Sequence, residues 1–283
     1  MSTPAGDVDP TAVPIRPAAT VMLVDDRPDL RVLMLRRTVQ AVFASDMWVY
    51  PGGRVDPEDA ATVFDRVRGL DDATASAALG IAEGGLAYWV AALRECFEEA
   101  GILLGVDRRS GAPVRFDDDA RRDAAEALRT GLNAGEVDFA TVVRELDVVL
   151  DASQVHYVAH WITPLGPPRR FDTRFFLAAA PPGQVPMHDD TEIVHHDWIA
   201  PATGMAAWRA EGMAMMTPTA RMLQCLEPFD VAAAAVRAAA AAVEAHQVRV
   251  SRDVPRYEVL LPGDPGYDDG DPDTEFGWVK LRP

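Results

Sequence analysis

The chain has too few cysteines for a disulfide framework. Only two of its 283 residues are cysteine, Cys96 and Cys225. Small secreted proteins rely on several disulfides, so this scarcity favours a reducing compartment, and we expect a cytoplasmic protein. No run of about 18 apolar residues occurs either, so the sequence predicts no membrane-spanning helix.

Positive charge is also scarce. The chain has 27 lysine and arginine residues against 44 aspartate and glutamate residues, which gives a formal net charge of −17. A surface this acidic repels the phosphate backbone of nucleic acids, so we expect no nucleic-acid partner. A phosphorylated small molecule would need local arginines or a bound cation to approach the protein.

Apolar periodicity and turn residues predict the secondary structure. Predicted strands are 19–24, 31–36, 47–50, 154–163, 172–179, 191–199 and a further edge strand near 257–261. Predicted helices are 60–68, 72–79, 86–100, 118–129, 137–150, 217–226 and 231–248. Strands followed by a helix, then more strands and helices, predict one layered α/β domain.

The most informative segment is 94–102, which lies downstream of the sequence Pro51-Gly52-Gly53. On a helix, Glu95, Glu98 and Glu99 lie on one side within about one turn, where like charges repel. Apolar residues at helical spacing form the opposite, buried stripe: Leu93, Cys96, Phe97 and Ala100. A hard divalent cation would relieve this repulsion, because such cations take oxygen ligands. The simpler alternative is a solvated amphipathic helix that ends at Gly101.

Segment 94–102 resembles the second half of the Nudix box, whose pattern is G-x5-E-x7-R-E-U-x-E-E-x-G-U, with U an aliphatic residue. The first half of the pattern is also present, because Gly53 stands six residues before Asp59, an aspartate in place of the usual glutamate. The spacing differs from the pattern, since 34 residues separate Asp59 from Arg94 where the family has seven. A long insertion at this place resembles the acyl-coenzyme A diphosphatase branch of the Nudix hydrolases, as does segment 168–176.

This resemblance implies a fold and a domain organisation. We expect a Nudix-type α/β/α sandwich around a mixed sheet, with helical insertions, over residues 18–228. Residues 60–85 would be the insertion within the box and 106–150 a second helical insert. Residues 1–17 are polar and contain prolines, so we expect a disordered lead-in. Residues 229–283 are expected to be a C-terminal helix and tail that pack on the domain.

The resemblance also implies roles for the acidic helix. Glu95, Glu98 and Glu99 would be the metal ligands for Mg²⁺, with Mn²⁺ as an alternative, and any of them could accept the proton of the attacking water. Arg94 would pair with a neighbouring carboxylate and fix its position. Asp59 is a weaker candidate for a direct role, because the insertion could displace it.

Substrate contacts are predicted from glycines and arginines. Gly52 and Gly53 would let the backbone approach a metal or a phosphate closely, although a plain turn is the alternative. Arg170 and Arg174 are predicted to bind substrate phosphates, with pairing to surface carboxylates as the alternative. Weaker candidates are Arg36, Arg37 and the acidic Glu192.

The sequence leaves three functions open. The first is Mg²⁺-dependent hydrolysis of the diphosphate in coenzyme A (CoA) or acyl-CoA, giving 3′,5′-ADP and (acyl-)phosphopantetheine. The second is hydrolysis of another nucleoside diphosphate conjugate, such as ADP-ribose or NADH. The third is a non-catalytic, ligand-binding protein with the same fold. Family resemblance also suggests a homodimer.

Overall fold

A nine-stranded mixed sheet with helices on both faces forms the centre of the fold. The computed structural model describes residues 12–41, 44–61, 64–188, 191–251, 258–272 and 277–282. In chain order, the strands and helices are β1 (Ile15–Asp26), β2 (Leu30–Arg37), β3 (Trp48–Val49), β4 (Gly52–Arg54), α1 (Pro57–Ala61), β5 (Val67–Arg68), α2 (Asp72–Leu79), α3 (Leu86–Ala100), β6 (Gly105–Asp107), α4 (Asp119–Asn133), α5 (Phe139–Glu145), β7 (Val148–Asp151), β8 (His156–Ile162), β9 (Arg170–Ala179), β10 (Ile193–Ile199), α6 (Pro201–Arg209), α7 (Thr217–Gln224), α8 (Ala232–Ala241), β11 (His246–Gln247), β12 (Arg249–Val250), β13 (Val259–Leu260) and β14 (Gly277–Val279).

The order of the main sheet is β10-β2-β1-β9-β8-β14-β11, with β3 paired to β2 and β4 paired to β1. The central pair β1 and β9 is parallel, and the other pairs of this sheet are antiparallel. Strands β5, β7 and β6 form a smaller sheet, and β12 pairs with β13. The mixed sheet confirms the predicted α/β fold class.

Alternation along the central strands divides the core into two layers. Val21 and Leu23 of β1 face the layer that contains α3, together with Phe176 of β9. Met22 and Leu177 face the opposite layer, which contains α7 and α8. Because successive strand residues point to opposite faces, an all-apolar strand serves both layers. The sheet is therefore sandwiched between helices, as predicted.

Helix α3 has the predicted bounds and supplies the acidic residues. Its apolar stripe includes Leu93 and Phe97, which are fully buried, and burial of each such side chain stabilises the fold by roughly 1.5–3 kcal/mol. The helix ends at Gly101, whose φ of 68° is left-handed and whose N–H donates to the carbonyl of Phe97 at 2.9 Å. A residue without a Cβ adopts this conformation at little cost, which explains the stop.

The insertion within the box folds against the start of α3. The carboxylate of Asp72, in α2, accepts hydrogen bonds from the backbone N–H groups of Gly84 and Leu86 at 3.0 and 2.9 Å. The hydroxyl of Ser76 accepts one from Gly85 at 2.9 Å. These bonds satisfy N–H groups at the helix start, which have no partner within the helix itself. The insertion thus caps the acidic helix.

The second insert packs against the end of α3. Arg129 of α4 is buried and donates from Nε to the carbonyl oxygen of Glu98 at 2.8 Å and from Nη2 to that of Glu99 at 3.3 Å. Asn133 donates to the Glu98 carbonyl as well, at 3.3 Å. The last carbonyls of a helix carry partial negative charge, so an arginine there is favourable.

Several predicted bounds were wrong. Helix α5 ends at Glu145, and residues 148–151 are strand β7, because Asp147 takes a left-handed φ of 51°. The predicted helix 60–68 is instead α1, a short 3₁₀ turn and β5, and α8 is shorter than 231–248. Helix α6 was not predicted.

Regular structure at the two ends of the chain has other bounds than those predicted. Residues 1–11 of the predicted lead-in lie outside the described residues, and β1 begins at Ile15, inside the span 1–17. At the other end, β14 pairs with β8 in the main sheet. The predicted edge strand near 257–261 is β13, although residue 257 itself lies outside the described part. The longest of the described helices have 15 residues, and none is long and apolar enough to cross a bilayer.

Candidate active site

A cavity of about 1060 Å³ extends from the acidic side of α3 along the central strands. Alternate residues of β1 line it, namely Arg16, Ala18 and Thr20. Strand β9 contributes Phe171, Thr173 and Phe175. The remaining wall includes Trp161, Met215 and Met216. The cavity therefore joins a charged end to an apolar wall.

Glu95, Glu98 and Glu99 all line the charged end of this cavity. Glu99 is buried, and one of its carboxylate oxygens accepts a hydrogen bond from the backbone N–H of Gly52 at 3.0 Å. Glu95 and Glu98 are half-buried. The structure thus brings together the three carboxylates that the sequence singled out, beside the glycines of β4.

Positions 52 and 53 require glycine because neighbouring atoms lie very close to the backbone there. A Cβ on Gly53 would lie 2.3 Å from Oε1 of Glu95, and a Cβ on Gly52 would lie 2.3 Å from Oγ1 of Thr20. Contacts this short do not occur for real Cβ atoms, so any side chain would displace a neighbour. The two glycines also line the cavity, which agrees with a role beyond that of a turn.

Arg94 is the centre of a buried ion-pair network. Its guanidinium binds Asp59 through two hydrogen bonds, from Nε to Oδ1 at 2.8 Å and from Nη2 to Oδ2 at 3.1 Å. Nη1 donates to Glu95 at 2.9 Å and to Glu98 at 2.8 Å, and Nη2 donates to the carbonyl of Arg54 at 2.8 Å. The geometry fixes two of the three carboxylates relative to strand β4, which agrees with the positioning role predicted for Arg94.

Asp59 contacts Arg94 and not the cavity. It is only 3% exposed and is not among the cavity-lining residues. Helix α1 carries it against α3, so the 34-residue insertion does not displace it from its place beside Arg94. The structure places Asp59 where it orients Arg94, and a direct role for Asp59 stays a prediction.

Burial perturbs the acidic groups. Removal from water raises the pKa of Glu95 to about 8, and the charge of Arg94 offsets part of that rise. Burial, followed by repulsion from Glu95, raises the pKa of Glu99 well above its usual range, and burial also raises the pKa of Glu98. Negative charge is thus held here at a free-energy cost, which a bound cation would lower.

The donor chemistry of the site fits a hard divalent cation. Carboxylate oxygens are the preferred ligands of Mg²⁺, and three converge here with raised pKa values. Among the residues that the structure describes, however, no three acidic, histidine or cysteine side chains are already arranged around a common metal position. Nη1 of Arg94 lies within hydrogen-bonding distance of both Glu95 and Glu98.

Arg170 and Arg174 do not join this site. Both are buried and neither lines the cavity. Arg170 donates from Nε to the carbonyl of Thr163 at 3.0 Å, and Arg174 lies 3.2 Å from the carboxylate of Asp172. The reason is strand alternation, because even-numbered residues of β9 point away from the face formed by Phe171, Thr173 and Phe175. Neither arginine reaches the cavity in this structure, and their contact with substrate phosphates stays a prediction.

Two of the weaker candidates, Arg37 and Glu192, lie beside the acidic helix. Arg37 lies 3.7 Å from Oε1 of Glu99 and also pairs with Glu192, and both line the cavity. The sequence marked them only as weaker candidates. Arg129 was missed altogether, since it lies 30 residues from Glu99 and its contact depends on how α4 packs.

Comparisons with known proteins identify sequences and a family that are similar to this chain. The family model described as the NUDT19 Nudix domain matches residues 69–225. The chain is 24% identical over 217 residues to acyl-coenzyme A diphosphatase NUDT19 of Xenopus laevis, covering 64% of this chain and 56% of that protein. It is 27% identical over 204 residues to the Homo sapiens protein of the same name, covering 61% of this chain and 54% of the relative.

A solved structure extends the comparison to the fold. The crystal structure of a NUDIX hydrolase from Alicyclobacillus acidocaldarius superposes with a TM-score of 0.65 at 26% identity, covering 80% of this chain and 97% of that one. The chain spans only about half of the length of the two curated relatives above. The family model nevertheless matches more than half of the chain, and the protein therefore belongs to the Nudix hydrolase family, in the group of the NUDT19 Nudix domain.

Proposed function

We propose that the protein is a divalent-cation-dependent diphosphatase that cleaves the diphosphate linkage of CoA or acyl-CoA. The products would be 3′,5′-ADP and phosphopantetheine or its acylated form. The observation that carries this proposal is the convergence of Glu95, Glu98 and Glu99 on one end of a large cavity. Two of the relatives are named acyl-coenzyme A diphosphatase, which supports the choice of substrate.

The shape of the cavity suits a long, two-part substrate. Its volume of about 1060 Å³ slightly exceeds that of typical small-molecule sites, roughly 300–1,000 Å³. Trp161, Phe175 and Met215 provide an apolar wall for a pantetheine or acyl arm. Glu95, Glu98 and Glu99 line the same cavity, and we assign the diphosphate to their side of it.

The residues of the chain perform three tasks in this proposal. Glu95, Glu98 and Glu99 would hold the cation, with Mg²⁺ as the proposed metal and Mn²⁺ as an alternative. When bound, the cation supplies charge neutralisation at the phosphate oxygens. Arg94 orients Glu95 and Glu98 through direct hydrogen bonds, and Asp59 holds Arg94 in turn.

Hydrolysis adds one water across the diphosphate. A P–O bond forms from the water oxygen, the bridging P–O bond breaks, and the bridging oxygen leaves with the second phosphoryl group. One of the three glutamates accepts the proton of the attacking water, which their raised pKa values favour. The assignment of that base among the three is left open.

Product analysis tests the proposal. The protein is incubated with Mg²⁺ and CoA, acetyl-CoA, ADP-ribose or NADH in turn, and the products are identified by chromatography and mass spectrometry. We expect 3′,5′-ADP from both CoA substrates. Turnover of ADP-ribose with CoA untouched would move the proposal to another nucleoside diphosphate conjugate. Tight binding of a substrate without any turnover would favour the non-catalytic alternative.

Two variants connect the activity to the site. Glu99→Gln removes the charge but keeps an oxygen that accepts from Gly52, so the fold should survive while turnover is lost. The control is Glu145→Gln on α5, an exposed residue outside the cavity, which should hydrolyse CoA like the wild type. Wild-type turnover by Glu99→Gln would reject the role of this helix. The homodimer and the cytoplasmic location stay predictions.

A further inference from the structure

Three exposed arginines lie together at the rim of the cavity, in a protein with a net charge of −17. They are Arg16, Arg54 and Arg169, and all three line the cavity. Arg54 has one carboxylate neighbour, Asp56, at 3.8 Å. Within the described part of the chain, Arg16 and Arg169 have no ion pair with a carboxylate. Two arginines without an ion pair to any described carboxylate are unexpected where acidic residues are so abundant.

The register of three adjacent strands explains why these arginines are close. Arg54 of β4 is directly opposite Ala18 of β1, two positions from Arg16 on the same face. Arg16 is in turn opposite Phe171 of β9, and Arg169 comes two positions before Phe171. Arg54 and Arg16 are diagonal neighbours across an antiparallel pair, whose Cβ atoms are roughly 7–8 Å apart, within reach of long side chains. Arg169 directly precedes β9, so the register brings the backbones of all three arginines to neighbouring positions beside the cavity.

The strand register sets the backbone spacing between Arg16 and the part of β1 beside Gly53. Gly53, which abuts Glu95, is opposite Ala19 in the register, and Arg16 is three residues away along β1. Three strand residues correspond to about 10 Å. This backbone spacing leaves room for a phosphoryl group on the far side of a ribose ring from the diphosphate.

The chemistry of the cluster selects the ligand. A guanidinium group binds two phosphate oxygens at once, through two parallel charge-assisted hydrogen bonds. A phosphomonoester carries close to two negative charges at neutral pH, so it would neutralise most of the charge of three arginines. A neutral hydroxyl at the same place would leave their repulsion unrelieved.

We propose that Arg16, Arg54 and Arg169 form a second phosphate subsite, which binds a phosphomonoester on the ribose of the substrate. This inference rests on the proposed function, and it deepens that function by assigning a basis for specificity. Substrates that carry a ribose 3′-phosphate, such as CoA, would be selected over those without one, such as ADP-ribose. The subsite is separate from the carboxylates, so it affects substrate affinity and not the chemical step.

The test compares CoA with 3′-dephospho-CoA, which differ only in this phosphate. For Arg16→Ala and Arg169→Ala, we expect kcat/KM for CoA to fall by about tenfold or more, because each variant loses at least one charge-assisted contact with the phosphate. Most of this fall should come from a higher KM. The value for 3′-dephospho-CoA should change less than about twofold. The matched control is Arg237→Ala on α8, which removes an exposed arginine outside the cavity and should leave both substrates unaffected. Equal losses for both substrates, or no loss for CoA, would overturn the proposal.

A binding experiment separates this proposal from the proposed function. Calorimetry with Ca²⁺ present compares 3′,5′-ADP with 5′-AMP, and the wild type should bind 3′,5′-ADP more tightly. Arg16→Ala should remove that difference. If CoA is not hydrolysed but the difference exists and is lost in the variant, the subsite is supported and the proposed function fails. If CoA is hydrolysed but the two nucleotides bind the wild type equally, the subsite is refuted alone.

Discussion

Two aspartates contact the same arginine and differ in burial, and this offers a direct test of the ion-pair network. Asp59 is 3% exposed and makes two hydrogen bonds to Arg94 at 2.8 and 3.1 Å. The side chain of Asp56 is 40% exposed and lies 3.7 Å from the same guanidinium. Replacement by asparagine keeps the size of each side chain and removes its charge, so Asp59→Asn and Asp56→Asn form a matched pair.

The expected cost follows from the contacts. Asp59→Asn turns one carboxylate oxygen into an NH₂ group that faces an arginine donor, so at least one charge-assisted hydrogen bond is lost, worth about 1.5–3 kcal/mol. Breaking a fully buried pair costs about 3–5 kcal/mol, but Arg94 keeps Glu95 and Glu98, so we expect about 2–4 kcal/mol. An unfolding entropy of about 0.6 kcal/mol per kelvin for a chain of this size converts this into a Tm lower by about 3–7 °C.

Scanning calorimetry and kinetic assays check this prediction together. Asp56→Asn should cost less than about 1 kcal/mol, because the exposed Asp56 carboxylate is well solvated and 3.7 Å from the guanidinium. Asp59→Asn should also lower kcat for CoA, since Arg94 would no longer hold Glu95 and Glu98 in place. The reasoning is refuted if the two variants have the same Tm, or if Asp56→Asn is the more destabilised.

Two further predictions concern the acidic residues. Gly53→Ala should lower kcat by about tenfold to a hundredfold, because the new Cβ displaces the flexible end of Glu95, and a shift of about 1 Å can cost that much. The free energy of unfolding should change by less than about 1 kcal/mol, as in the control Gly212→Ala, whose added Cβ would meet only one oxygen at 3.6 Å. A Gly53→Ala variant with wild-type kcat would contradict the argument. For pH, the folded protein holds a proton on Glu95 that the unfolded chain has released, so the free energy of unfolding of metal-free protein should fall as pH rises from about 5 through 8. Urea unfolding of the wild type and Glu95→Gln in EDTA, measured across this pH range, separates the effect of Glu95 from that of other groups. Parallel curves of unfolding free energy against pH for the two proteins would contradict the prediction. Saturating Mg²⁺ should flatten the wild-type curve.

Local patterns in the sequence predicted part of the fold well. Helices α2 and α3 have the predicted bounds because their signals are local, namely an N-cap carboxylate at Asp71 for α2 and a left-handed glycine at Gly101 after α3. The fold class also followed from the order of strands and helices. Helix α5 was predicted too long because its apolar residues continue into β7, where periodicity alone does not separate helix from strand.

The sequence predicted some residues of the site and missed others, because some of the contacts depend on tertiary packing. Glu95, Glu98 and Glu99 lie on one helix, so spacing alone placed them together. The place of Arg174 outside the cavity was not foreseen, because its sequence position does not reveal which face of β9 points into the cavity. Arg129 was missed, since its contact with α3 depends on the packing of α4.

The most direct test of the account is hydrolysis of CoA by wild type and Glu99→Gln, measured as release of 3′,5′-ADP with Mg²⁺ and with EDTA. We predict rapid release by the wild type with Mg²⁺, and none with EDTA or from a folded Glu99→Gln variant. Release that is unchanged by EDTA, or by loss of the Glu99 carboxylate, would contradict the claim that these carboxylates hold a catalytic cation.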